Sequence, residues 1–298
     1  MLITGATGFV GRFAVEALKG RGFDVYGVAR RPPENVLIDA WLEANLLEPS
    51  APAQVVRDAG ATHILHLAWT TEHGRYWEDA ANRDWISATR RLIKAFAEAG
   101  GSRFVLAGSC AQYDWSAAEP LSEKETPRCP ATLYGRAKQE AADLLESFPA
   151  EAGLSTATGL LFFPYGPHER PQRLVSSVAR HLLTGEEAPV SAGTQVRDFL
   201  HVADCGAALA ALLDSEVAGP VNVGSGEGTS VADVAASVAR IVGRPELLRL
   251  GALPGDDETR VVAATGRLSD EVGFVPRLDL EQGLRDAVDW WRQRVRRR

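Results

Sequence analysis

One short stretch, Leu2-Ile3-Thr4-Gly5-Ala6-Thr7-Gly8-Phe9-Val10-Gly11, contains the strongest fold signal of the chain. Its first three residues predict a buried strand, and the apolar residues from Phe9 to Leu18 recur at helical spacing. The glycines between these two elements have the spacing G-x-x-G-x-x-G, which permits a tight turn and a close approach of backbone to a pyrophosphate. The following helix points its positive N-terminal end at the same place. Strand, glycine turn and helix in this order predict a dinucleotide-binding site.

Strands and helices alternate along the chain after this turn. Strands are predicted at 24–29, 63–67, 103–109 and 156–163, with helices near 51–59 and 81–99 and a polar loop from Arg30. The alternation predicts an α/β fold with a doubly wound parallel sheet, a Rossmann domain over residues 1–163. Residues 164–298 are expected to form mainly a smaller, discontinuous substrate-binding domain. Residues 196–224 are expected to return to the sheet, because they contain a helix at 202–213 and a strand at 219–224.

Composition excludes several classes of protein. A net charge of −7 over 298 residues argues against a general nucleic-acid binder. No apolar run approaches the roughly 18 residues that would predict a membrane span. The cysteines Cys110, Cys129 and Cys205 are odd in number and lack CxxC spacing, so neither disulfides nor a metal site is expected. Reduced thiols fit a cytoplasmic location.

Tyr134 and Lys138 predict a proton-transfer pair. Residues four apart on a helix lie on one face, one turn from each other. A nearby ammonium favours the phenolate, and so brings the pKa of the tyrosine closer to the range in which it exchanges protons. Such a pair, together with the glycine turn, predicts redox chemistry on a nucleotide cofactor.

Arg30 and Arg31 follow the second predicted strand, where many dinucleotide-binding folds have an acidic residue that holds a ribose hydroxyl. Guanidinium groups match a 2′-phosphate, so the pair favours NADP over NAD. The alternative is a loop of solvated arginines in an arginine-rich protein.

Further motifs follow in a fixed order, and they are His66-Leu67-Ala68, Ser109-Cys110-Ala111-Gln112-Tyr113, Tyr134 to Lys138, Tyr165-Gly166-Pro167 and Arg197-Asp198-Phe199-Leu200-His201-Val202-Ala203-Asp204. With the glycine turn, they make the chain resemble the extended short-chain dehydrogenase/reductases, the NAD-dependent epimerase/dehydratase family that acts on nucleotide sugars. The resemblance covers essentially the whole chain.

The resemblance implies a role for each matching residue. Tyr134 is expected to be the general acid or base at a sugar hydroxyl or carbonyl, Lys138 to lower its pKa and hold the nicotinamide ribose, and Ser109 to hydrogen-bond the reacting oxygen. The cofactor contacts implied besides Tyr134 and Lys138 are Gly5, Gly8, Phe9, Val10, Gly11, Arg30, Arg31, Asn45, Leu46, Leu67, Ala68 and Phe162. The implied substrate contacts are Cys110, Tyr113, Phe163 and Arg197, the last at the diphosphate. Helices 81–99 and 134–148 resemble those of a family dimer interface, so a homodimer is expected.

Departures from the family pattern bear on the substrate. Leu160 and Phe163 replace an arginine and an asparagine, and Trp69 and Trp115 add aromatic surface, which suits a deoxygenated sugar. The combination resembles 4-ketoreductases of the abequose synthase type. We therefore predict NADPH-dependent reduction of the 4-keto group of a nucleoside-diphosphate 4-keto-6-deoxyhexose. The alternatives are a nucleotide-sugar 4-epimerase with tightly bound NAD and a non-catalytic nucleotide sensor. A 4,6-dehydratase is less expected, because Cys110-Ala111 offers no acidic residue.

Overall fold

The centre of the fold is a parallel sheet of seven strands, seen in a computed structural model that describes residues 1–33, 38–148, 153–255 and 258–295. In chain order, the strands of the described residues are β1 (Leu2–Thr4), β2 (Tyr26–Ala29), β3 (Ala40–Glu43), β4 (His63–His66), β5 (Arg103–Ser109), β6 (Ser155–Leu161), β7 (Phe163–Tyr165), β8 (Ala188–Pro189), β9 (Val196–His201), β10 (Gly219–Val223), β11 (Gly228–Ser230), β12 (Leu248–Arg249) and β13 (Arg260–Val261). The large sheet has the spatial order β10-β6-β5-β4-β1-β2-β3. All its neighbouring strands are parallel, which confirms the predicted α/β fold.

Helices cover both faces of this sheet. The helices are α1 (Phe9–Gly20), α2 (Ala51–Ala59), α3 (Ala81–Glu98), α4 (Leu133–Glu146), α5 (Leu174–Thr184), α6 (Val202–Leu213), α7 (Val231–Val242) and α8 (Leu280–Val295). Side chains alternate between the faces along each strand, so Leu65 packs with α1 and α6, whereas Ile64 packs with α2, α3 and α4. Both faces are thus buried, as expected for a parallel sheet.

The order of the strands creates a crevice. The chain runs outward in one direction from β1 to β3 and in the other direction from β4 to β10. At such a switch point the loops after the two central strands separate, and ligands bind outside the carboxyl ends of the strands. Here that point lies between Gly5, after β1, and Leu67, after β4.

A second hydrophobic core forms from the later part of the chain. It joins α5, α7 and α8 through buried residues that include Val178, Val234 and Leu284. A small sheet of β7, β9, β11 and β13 lies beside it. In the region expected to return to the large sheet, β10 does so beside β6, but β9 belongs to this small sheet. The division into domains at residue 163 stays a prediction.

Strand β3 corrects the expectation of a loop after Arg30. It pairs in parallel with β2 at the edge of the sheet. Its residues are at most half-buried and it has only four of them, so its sequence signal is weak. Gly27 in β2 leaves room for this neighbour, because a Cβ atom there would lie 2.6 Å from the Trp41 ring.

The helices of the described residues include none with the length and apolar character required to cross a bilayer.

Candidate active site

A cavity of about 1100 Å³ opens at the carboxyl ends of the central strands. It brings together residues that are far apart in the sequence. The predicted site residues that line it are Gly5, Gly8, Phe9, Val10, Gly11, Arg30, Arg31, Asn45, Leu46, Leu67, Ala68, Ser109, Cys110, Tyr134, Lys138, Phe162 and Phe163. The glycine turn and the Tyr134–Lys138 pair therefore face the same space.

The glycine turn has the geometry of a phosphate cradle. Gly5 has a φ of 73°, and a Cβ atom on Gly11 would lie only 2.0 Å from the Gly5 carbonyl oxygen. Helix α1 starts directly after Gly8, whose position at the N-cap provides no side-chain cap. The backbone N–H groups of the first helical turn are therefore left to a ligand, and the helix dipole favours a negative one. These features fit the pyrophosphate of a dinucleotide.

Ser109, Tyr134 and Lys138 form one wall of the cavity. Ser109 ends β5, and Tyr134 lies in the first turn of α4, where the Thr132 side chain caps the helix by accepting from Gly135 N at 3.0 Å. The Ser109 hydroxyl oxygen accepts from Ala111 N at 3.2 Å, and Ser109 lies close enough to the Tyr134 phenol to lower its pKa. One turn further along α4, Lys138 Nζ donates to the Ala107 carbonyl oxygen at 2.8 Å.

Burial governs the protonation of this wall. Desolvation raises the pKa of Tyr134, as does the nearby Tyr76, while the hydrogen bond with Ser109 and the charge of Arg173 act in the opposite direction. Desolvation also lowers the pKa of Lys138 to about 7. The expectation that Lys138 lowers the pKa of Tyr134 is thus not met here, because both groups are buried and the ammonium lies 6.0 Å from the phenol ring centroid.

Aromatic side chains surround the phenol. The rings of Tyr76 and Trp77 meet the Tyr134 ring edge to face, with centroids 5.0 and 5.7 Å away. Trp115 donates from Nε1 to the Cys110 carbonyl oxygen at 2.8 Å. The aromatic wall expected from Trp69, Trp115 and Phe163 is present in the cavity lining. Tyr76 and Trp77 were not singled out by the sequence, although the density of aromatic residues from Trp69 to Trp85 is a usable signal.

The cavity has a strongly positive lining. Arg30, Arg31, Lys138, Arg170 and Arg173 line it, whereas its lining contains no aspartate or glutamate among the described residues. Arg170 and Arg173, which follow β7, belong to no motif and were missed in the sequence. A positive cavity in a protein of net charge −7 suits anionic ligands such as nucleotides.

Two expected substrate contacts do not line the cavity. Tyr113 is only 2% exposed and donates its hydroxyl to Asn222 Oδ1 at 2.8 Å, so it supports the core behind the site. Arg197 is also buried and donates from Nη1 to the Thr259 carbonyl oxygen at 2.7 Å. Its guanidinium lies 5.4 Å from the ring centroids of both Trp115 and Phe163. Both residues lie behind the described lining, and their contacts with the substrate stay predictions.

Asn45 lines the cavity, but its side chain has local partners. Its Nδ2 donates to Glu48 Oε1 at 3.2 Å, and its Oδ1 accepts from Leu47 N at 3.3 Å. The amide thus shapes the loop after β3 at the cavity, and its predicted contact with the cofactor stays a prediction. Within the described ranges, no group of three or more histidine, cysteine, aspartate or glutamate residues is placed to hold a metal ion.

Known proteins resemble this chain over nearly its full length. The sequence pattern of the NAD dependent epimerase/dehydratase family matches residues 1–224. A UDP-glucose 4-epimerase of Corynebacterium glutamicum is 27% identical, with 96% of this chain and 94% of that protein covered. MoeE5, solved in complex with UDP-glucuronic acid and NAD, is 30% identical with a TM-score of 0.84, covering 98% of this chain and 99% of MoeE5. The UDP-glucose 4-epimerase of Thermus thermophilus, solved with NAD, is 25% identical with a TM-score of 0.85 and 98% of both chains covered.

These comparisons correct the expected cofactor. Both similar structures contain NAD, so the expectation of NADP from Arg30 and Arg31 is wrong. The physical reason is that both arginines are exposed at the edge of the cavity. An exposed guanidinium is well solvated and can also meet the pyrophosphate charge of NAD, so its presence does not specify a 2′-phosphate. The relatives include UDP-glucose 4-epimerases and a dTDP-glucose 4,6-dehydratase, so the finer resemblance to ketoreductases of the abequose synthase type is not specifically supported.

Proposed function

The chain belongs to the NAD-dependent epimerase/dehydratase family, and we propose that this nucleotide-sugar-modifying enzyme is a 4-epimerase of a nucleoside-diphosphate hexose that keeps its NAD bound. The observation that carries the proposal is the position of Ser109, Tyr134 and Lys138 in one positive cavity with the glycine turn. The UDP-glucose 4-epimerases similar in sequence and in structure support this choice within the family.

The residues of the cavity divide between cofactor and substrate. Gly5, Gly8 and Gly11 would hold the NAD pyrophosphate, and Leu67 and Ala68 would lie beside the cofactor across the switch point. NAD supplies a nicotinamide ring that can take a hydride from a sugar carbon and give it back. The part of the cavity near Tyr134, lined also by Trp77 and Trp115, is left for the sugar.

Tyr134 performs the proton transfer in the proposed reaction. Its phenolate form accepts the proton of the sugar 4-hydroxyl as C4 is oxidised, and the resulting phenol returns the proton to the oxygen when C4 is reduced. Ser109 lines the cavity next to Tyr134, where its hydroxyl can also orient the reacting oxygen. Because burial raises the pKa of Tyr134, the proposed reaction needs cations beside the phenolate. Arg173 lowers this pKa, and we propose Lys138, one helical turn further along α4, as the second cation.

An epimerase must return the hydride to the opposite face of C4. The sugar therefore has to turn within the cavity between oxidation and reduction, while its diphosphate stays anchored. Aromatic surfaces such as those of Trp77 and Trp115 can contact either face of a sugar ring without directional hydrogen bonds. The positive lining, which includes Arg170 and Arg173, can hold the diphosphate throughout.

Dehydration at C5 and C6 is disfavoured by the lining of the cavity. That reaction needs an acidic group beside the reacting carbons, and the lining provides no carboxylate among the residues that the structure describes. Cys110 does not replace one, because burial raises the pKa of its thiol to about 12.

A second candidate is the reduction of a nucleoside-diphosphate 4-keto-6-deoxyhexose with NADH. The aromatic wall of Trp115, Phe162 and Phe163 favours it, since this surface suits a methyl group better than a hydroxymethyl group. The two functions differ in their redox balance. An epimerase regenerates its NAD in every cycle, whereas a reductase consumes one NADH for each product.

The experiment uses the purified enzyme without added cofactor. Incubation with UDP-glucose or UDP-glucuronic acid, followed by proton NMR of the anomeric region, is expected to show the 4-epimer, with turnovers exceeding the bound NAD. The variant Tyr134→Phe serves as the matched control. If no 4-epimer forms from either substrate, but NADH is consumed with a 4-keto-6-deoxy sugar nucleotide, the reductase is the correct function.

A further inference from the structure

We propose that Trp69 is a positioning residue that holds the Lys138 ammonium in place and in its charged form beside Tyr134. The Lys138 Nζ atom lies 3.9 Å from the centroid of the Trp69 ring. This distance is well inside the roughly 6 Å over which an aromatic face attracts a cation. The inference rests on the proposed function only in assuming that a charged Lys138 assists proton transfer at Tyr134.

Trp69 is itself fixed by a hydrogen-bonded network. Its Nε1 donates to Asn82 Oδ1 at 2.8 Å, and Asn82 is fully buried. Asn82 Nδ2 donates in turn to the carbonyl oxygens of Tyr76 and Asp79 at 2.8 and 2.9 Å. The indole also stacks against Trp85, with centroids 6.1 Å apart. Because the ring cannot easily turn, its face stays directed at the ammonium.

Lys138 is deeply buried, and the groups around it are poor at compensating its charge. The titratable groups next to the ammonium are Tyr134 on α4 and His66 on β4, and around the Tyr134 phenol lie Tyr76 before α3, Cys110 after β5 and Arg173 before α5. Burial lowers the pKa of His66 to about 3 and raises the pKa of Tyr76 and of Cys110 to about 12. At neutral pH these three are uncharged, the Tyr134 phenol is protonated, and Arg173 is a like charge.

The groups in direct contact with the ammonium therefore stabilise its charge more strongly than they would at a surface. Ala107 provides a carbonyl oxygen at 2.8 Å, and Trp69 provides the negative face of its ring. Cation–π attraction is strongest where both partners are removed from water. Without the indole, the charged form of Lys138 would lose one of its two direct stabilising contacts, and the long side chain would be free to leave the Tyr134 face of α4.

The chain is well suited to a direct test, because it has only four lysines. Lysine labelled with ¹³C at Cε gives four NMR signals, and Lys138→Met identifies the one of interest. In Trp69→Leu we expect the protonation midpoint of Lys138 to fall by about one pH unit. Trp69→Phe, which keeps a weaker aromatic face, is expected to give an intermediate midpoint. Trp115→Leu removes another indole from the same cavity and should leave the midpoint unchanged.

A second measurement covers the case in which Trp69→Leu does not fold. Replacing all seven tryptophans by 5-fluorotryptophan keeps their shape but weakens the ring face, so the Lys138 midpoint should again fall. An unchanged midpoint in the leucine variant, or in the fluorinated protein where that variant does not fold, overturns the proposal. Because the readout is a titration and not turnover, it is independent of whether the enzyme proves to be an epimerase or a reductase.

Discussion

Lys138 donates its ammonium hydrogen bond to the backbone carbonyl oxygen of Ala107, over 2.8 Å, from a position that is only 3% exposed. The lysine expected to serve the cofactor is thus a buried group with a single backbone acceptor. Burial lowers its pKa from 10.5 to about 7. The burial of this charged group lowers the free energy of unfolding, and the dependence of that free energy on pH should reveal the effect.

The first prediction concerns this cost. Between about pH 7 and the ordinary pKa of lysine, the unfolded chain binds the proton and the folded chain does not, so Lys138 makes stability rise with pH by up to about 1.4 kcal/mol per pH unit. Below that window both states are protonated and the full penalty remains. Lys138→Met should therefore be more stable than the parent near pH 7, with a smaller gain near pH 9.5. Urea unfolding at both pH values measures this, with the exposed Lys94→Met as the control. Equal gains at the two pH values would contradict the prediction.

The second prediction concerns Tyr134→Phe. Removal of the phenol oxygen should lower turnover by about 10²–10⁴-fold, because the proton transfer loses its catalyst, while bound NAD is retained. The assay is 4-epimer formation, with bound cofactor measured in the same samples. Tyr26→Phe removes a phenol oxygen from β2, outside the cavity, and should keep full turnover. Parental turnover in the Tyr134→Phe variant would show that the phenol of Tyr134 is not the catalyst of proton transfer.

Gly11→Ala is the third prediction. The added Cβ atom would lie 2.0 Å from the Gly5 carbonyl oxygen, so the turn has to deform and NAD binding should be lost. Gly20→Ala adds the same atom at the other end of α1, where nothing lies within 4 Å, and should leave binding unchanged. Cofactor content after gel filtration and isothermal titration with NAD compare the two. Parental NAD affinity in Gly11→Ala would argue against the turn as the cofactor site.

The fourth prediction tests whether Tyr113 stabilises the fold or contacts the substrate directly. Tyr113→Phe leaves Asn222 Oδ1 without its buried donor and should cost about 1–3 kcal/mol in the free energy of unfolding. Because Tyr113 does not line the cavity, the KM for the nucleotide sugar should change less than twofold. Urea unfolding and steady-state kinetics on the same preparation test both parts. A large change in KM with an unchanged free energy of unfolding would instead indicate that Tyr113 contacts the substrate directly.

The fifth prediction is the homodimer expected from helices α3 and α4, which pack against each other. Light scattering should give twice the chain mass of 32.0 kDa. A single species at the mass of one chain, over the micromolar range, would exclude it.

Several elements were predictable because their signals are local. Helices α2 and α6 begin and end where the sequence placed them, and the glycine turn was identified from a strand, three glycines and a helix. Strand β3 was missed because it is short and at most half-buried. It lies at the edge of the sheet, so its sequence has only a weak hydrophobic pattern. Strand β9 was expected in the large sheet, but strand partners are chosen by packing over long sequence separations, which local patterns do not report.

Periodicity predicted the doubly wound sheet, helical spacing paired Tyr134 with Lys138, and the order of the motifs made the chain resemble the family, which implied the role of Ser109. Tertiary packing instead determines which side chains face the cavity, and it brings Arg170 and Arg173, which belong to no motif, into the lining. It also raises the pKa of Tyr134, where the sequence predicted that the nearby ammonium would lower it. The physical reason is desolvation, which depends on every neighbour that excludes water and therefore cannot be read from two residues four positions apart.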